Sequence, residues 1–92
     1  MSNQYKLHPE GTFTGKVMSM QAGWSVKHQS LYAAFQVKTE HGGVFVPVGI
    51  EYLGQHLASL NFGRSRLTIK VTHTHWEKNI RLSVTPVGAP SV

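Results

Sequence analysis

Five segments of this chain alternate apolar and polar residues with a period of two, and one segment between them repeats with the period of a helix. That pattern constrains the fold most, because a strand buries every second residue and a helix every third or fourth. In the first segment, Gly11 to Met20, Phe13, Gly15 and Val17 share one face, with Thr12, Thr14, Lys16 and Met18 on the other. Leu31 to Thr39 places Ala33, Phe35 and Val37 inward and Tyr32, Ala34, Gln36 and Lys38 outward. Glu40-His41-Gly42-Gly43 reads as a turn, since glycines reach positive φ at little cost, and Val44 to Val48 completes a hairpin. Pro47 cannot donate to a ladder, so this third strand belongs at an edge or ends there. Arg66 to Thr72 and Ile80 to Val87 are the fourth and fifth strands, with Leu67, Ile69, Val71, Ile80, Leu82 and Val84 inward.

The helical segment runs from about Ile50 to Leu60, where Ile50, Leu53, Leu57 and Leu60 form one stripe. Glu51 favours its first turn and Gly63 is placed to close it. Gly54 weakens it by about 1 kcal/mol relative to alanine, a cost explained if the helix packs close to the sheet. Gln21 to Ser30 and His73 to Asn79 read as loops. Residues 1–10 are expected to be a flexible arm and residues 88–92 a flexible tail, leaving 11–87 as one domain.

The order β-β-β-α-β-β in 92 residues is the layout of an all-β, five-stranded OB-fold, a small Greek-key barrel whose helix plugs one end. An SH3-like small barrel is the alternative. No signal peptide is read at the N-terminus, and no apolar run nears the roughly 20 residues of a membrane span. With no cysteine, disulfides and thiolate zinc are excluded. A cytoplasmic protein is expected.

Charge narrows the partners. Nine Lys and Arg face four acids, all glutamate, for a net charge of +5. A small basic surface suits polyanions, while four scattered glutamates suit no hard cation. His73 and His75 share a side if the segment is extended, yet two histidines do not complete a zinc site. No metal or cofactor is expected. The chain lacks a cysteine nucleophile, an aspartate to orient a histidine, a G-x-S-x-G elbow and a phosphate loop, so no enzymatic activity is expected.

Gly11 to Val87 resembles the bacterial single-stranded-DNA-binding proteins and the primosomal replication proteins related to them. The resemblance lies in GTFTGKV, YAAFQVKT, VFVPVGIEYLGQHLASLNFGRSRLTIKV and IRLSVTPV. Within these, FGRSRLTIKV, Phe62 to Val71, matches the passage from helix through glycine and a basic residue into a strand. The chain departs from the standard single-strand binders in its short loops and in GAPSV, which carries no acid. A primosome-type, plasmid or phage relative fits better.

OB-folds bind nucleic acid across strands 2 and 3, between the loop after strand 1 and the loop joining strands 4 and 5. Trp24, Lys27 and His28 fall in the first loop; His73, His75, Trp76 and Lys78 fall in the second. Tyr32, Gln36, Lys38, Phe45, Lys70 and Arg81 lie outward between them. Aromatic platforms interleaved with cations are what a single strand requires. The expected partner is single-stranded DNA, or RNA, bound by a homodimer in replication, recombination, plasmid or phage DNA metabolism. The alternative is a protein-interaction module on the same barrel: an adaptor in a nucleoprotein assembly or a mobile-element inhibitor of a host factor.

Overall fold

The computed structural model describes residues 8–91, with Trp76 described by its backbone. Residues 1–7 of the expected arm, and Val92, lie outside the described residues. The strands are β1 (Gly11–Ser25), β2 (Ser30–Thr39), β3 (Gly42–Val48), β4 (Arg66–Trp76) and β5 (Asn79–Ser91). Between β3 and β4 lie α1 (Ile50–His56) and a 3-10 turn, Leu57–Ser59.

All strand pairs are antiparallel, in the order β3-β2-β1-β4-β5. Three consecutive strands are thus followed by a fourth that returns beside the first, which defines a Greek key. β5 then folds back on the far side of β4. The edge strands β3 and β5 face each other across a groove of about 590 Å³ without sharing a ladder. This is the partly open, five-stranded barrel of an OB-fold.

Its core is Val17, Phe35, Val37, Val44, Val46, Leu67, Ile69, Val71 and Val84, the inward residues of all five strands. β-branched side chains suit such a pleated, enclosed surface. Gly15 faces the same interior. A Cβ there would stand 2.7 Å from both the Lys38 carbonyl oxygen and Val37 Cγ1, so β1 can cross β2 this closely only at glycine.

One bulge sets the geometry of β1. Val17 pairs with Val37 and Ser19 with Gln36, which leaves Met18 as the extra residue. The bulge reverses the alternation beyond it, so Met20, Ala22 and Trp24 continue the side begun by Phe13, Gly15 and Val17. Just beyond the last β1–β4 pair, Val17 bonds to the segment before β4. The Val17 N–H donates to the Ser65 carbonyl at 2.8 Å, and the Gly63 N–H donates to the Val17 carbonyl at 2.7 Å. Gly63 therefore serves this contact, at φ +87°, and does not close the helix, which ended at His56.

Two stretches expected as loops are mostly strand. β1 and β2 continue to Ser25 and Ser30, leaving a four-residue turn, and β4 continues to Trp76, leaving only Glu77 and Lys78 between strands. β5 runs on through the expected tail, where Ser91 pairs with Arg66 after a register shift. At the other end His8 is buried, contrary to a free arm at that residue. Its Nε2 lies 2.6 Å from the Thr39 hydroxyl, and its ring packs edge-on against Phe13 and His41.

The helix is shorter than its apolar stripe implied, and it turns a different face inward. Tyr52, Leu53 and Leu60 pack on the core, while Ile50 is 61% and Leu57 39% exposed. The change to 3-10 geometry at Leu57 alters the angular step and carries that leucine off the stripe. Tyr52 meets Phe35 edge-on and donates its hydroxyl to the Gly88 carbonyl at 3.1 Å, tying the helix to β5. Desolvation of that phenol raises its pKa above the ordinary 10.0 and keeps it a donor. Gly54 has nothing within 4 Å of a Cβ position, so it does not serve a close approach to the sheet.

Candidate nucleic-acid interface

The outward residues of β2 and its neighbours form the face on which exposed aromatic and basic side chains meet. Along β2 stand Tyr32, Ala34, Gln36 and Lys38. On β3, Pro47 lies opposite Ala34, Phe45 opposite Gln36 and Gly43 opposite Lys38. On β1, Gly23 lies opposite Tyr32, Gln21 opposite Ala34, Ser19 opposite Gln36 and Lys16 opposite Lys38. Tyr32 is 51% exposed, Phe45 54% and Met18 42%, an apolar presentation that folding does not explain. The Tyr32 ring covers Gly23, where a Cβ would come within 2.8 Å of its hydroxyl. Ser19 donates to Gln36 Oε1 at 3.1 Å, which orients that amide across the strand from Phe45.

Arg81 reaches this region from β5. With Thr74 it lines the groove shared with Phe45 and Pro47, so the open side of the barrel adds a cation beside the second aromatic. Tyr32, Lys38, Phe45 and Arg81 are thus brought to one side of the molecule.

Other residues expected at the site are placed elsewhere. Trp24, 59% exposed, pairs with Leu31 on the opposite side of the β1–β2 ribbon from Tyr32, because the bulge at Met18 reverses the alternation. Lys27 and His28 are exposed on the turn, where the His28 N–H donates to Ser25 Oγ at 3.3 Å. Lys70 is exposed on β4 between Thr12 and Thr85, four residues along from Arg66. His73 is half-buried and occupied. Its Nε2 donates to the His8 carbonyl at 2.7 Å, and its backbone N–H donates to Glu10 Oε2 at 2.7 Å. His75 is exposed opposite Ile80, Trp76 pairs with Asn79 at the last rung, and Lys78 is exposed on the turn.

Two cations absent from the expected set belong to this face. Lys16 pairs with Lys38 on one side and with Arg66 on the other, making a basic row across β2, β1 and β4. Alternation places Lys16 outward, but only the pairing register shows these cations to be adjacent. Among the described residues, no group of three or more His, Cys, Asp or Glu could hold a metal ion. No helix among them is long and apolar enough to cross a membrane.

A scan against protein-family models finds no matching family, and a search of curated proteins finds no match.

Proposed function

We propose that this protein binds single-stranded nucleic acid, DNA in preference to RNA, on the outward face of β1, β2 and β3. The observation that carries the reading is the placement of exposed Tyr32 and Phe45 among Lys16, Lys38 and Arg81. A strand of nucleic acid needs such a combination: bases stack on the rings and phosphates meet the cations. Each stacked base contributes about 1–3 kcal/mol. The resemblance to single-stranded-DNA-binding and primosomal proteins supports the same face. The proposed role is that of a binding protein, not an enzyme. It would act in the cytoplasm as a homodimer, in replication, recombination, plasmid or phage DNA metabolism.

One observation favours a second reading. Trp24, Leu31 and Val26 are 59%, 59% and 81% exposed at the end of the β1–β2 hairpin, with Trp24 and Leu31 on the side opposite Tyr32. Large apolar side chains so placed suit a protein interface, as an adaptor or an inhibitor of a host factor would require.

Anisotropy of a labelled oligo-dT strand titrated with the protein at low and moderate salt tests the first reading. Saturable binding that weakens with salt is the expected result. No binding of DNA or matching RNA at micromolar concentration would leave the interaction module in its place.

A further inference from the structure

Lys38, Lys16 and Arg66 stand directly opposite one another on three adjacent strands, all exposed and all on the outward face. Adjacent strands lie about 4.8 Å apart, so the three side chains emerge within about 10 Å. Like charges paired across strands destabilise a sheet, and Lys16 has one on each side. Among the described residues the one ion pair is His41 with Glu40, at 3.9 Å, so no carboxylate lies within 4.0 Å of any cation in the row. The three line a shallow pocket of about 400 Å³ together with Thr14, Met18 and Glu40. The neighbouring pocket, lined by Met18, Gln36, Lys38 and Gly43, leads from the row towards β3.

Three cations with a single glutamate at their pocket, and no ion pair among them, leave a net positive charge that suits an external anion. We propose that Lys38, Lys16 and Arg66 form a phosphate-holding row, along which the backbone of the bound strand crosses β2, β1 and β4. The bases then lie on the Met18, Gln36 and Phe45 side. This rests on the single-strand reading above and adds the path of the strand. It also makes Lys16 and Arg66 phosphate ligands, with Lys16 at the centre.

The test compares wild type, Lys16→Gln, Arg66→Gln, Lys16→Arg and Lys27→Gln in oligo-dT binding by anisotropy across a salt series. Losing one phosphate contact lowers the log–log salt slope by about 0.7, equivalent to about 5-fold weaker binding at 0.1 M relative to a 1 M reference. Lys16→Gln and Arg66→Gln should each show that loss. Lys16→Arg should keep the wild-type slope, and Lys27→Gln, on the hairpin turn, should change it less. Thermal melting supplies an independent readout. Lys16→Gln should melt higher than wild type at low salt and converge with it at high salt, because repulsion is relieved and then screened. A structural role would instead lower its melting temperature. Wild-type slopes in both Gln variants would overturn the row while leaving the single-strand reading intact. A wild-type protein that binds neither DNA nor RNA would overturn both.

Discussion

Phe35 and Phe45 are the same residue type on neighbouring strands of one hairpin, and their surroundings are opposite. Phe35 is fully buried among Val17, Val46 and Tyr52, whereas Phe45 is 54% exposed beside Gln36, with Arg81 lining the same groove. The contrast extends to whole faces. The buried core residues of the five strands are aliphatic or aromatic. Outward ones include like charges placed side by side and rings left in water. Folding accounts for the inner face by burial of apolar surface, but it opposes the cation row. Burial therefore does not set the composition of the outer face, and the proposed nucleic-acid partner would account for it.

The largest expected effect comes from the inner face. Phe35→Ala should cost about 3–5 kcal/mol through lost transfer energy and the cavity left behind, read as a shifted denaturation midpoint. A loss below 1 kcal/mol would mean that Phe35 does not anchor the barrel. Gly15→Ala comes next, at about 1–3 kcal/mol of destabilisation from overpacking against the Lys38 carbonyl. A variant as stable as wild type would show that β1 and β2 can move apart there. On the outer face, Phe45→Ala should leave stability within about 0.5 kcal/mol and weaken oligo-dT binding by about 1–3 kcal/mol. Equal damage to folding and binding would erase the distinction between the faces. The smallest effect belongs to Gly54→Ala, which should stabilise the protein by about 0.5–1 kcal/mol. The added methyl meets nothing within 4 Å and raises helix propensity. Chemical denaturation with a lower midpoint would contradict this.

Much of the fold is legible along the chain because alternation survives wherever a strand is regular. Ala33, Phe35 and Val37, then Val44 and Val46, are inward as their spacing implies. Reading fails at irregularities whose cause is remote. Beside the bulge at Met18, Val17 bonds to Ser65 and Gly63, more than forty residues away in sequence, and nothing near Met18 announces the irregularity. Its effect is to turn Trp24 away from Tyr32 and divide one expected aromatic surface between two sides. His73 likewise looks like an exposed loop histidine until His8 and Glu10 are brought against it.

By itself, the sequence determined that five half-buried strands enclose an apolar interior, that one helix interrupts them after the third, and that the exterior is basic. Those properties follow from period and composition, which are local. Only the tertiary structure decided which exterior residues are neighbours. Lys16, Lys38 and Arg66 are separated along the chain by 22 and 28 residues, and antiparallel register alone makes them adjacent. Register depends on where strands bulge and which glycine lets them cross, and both are settled by packing between distant segments.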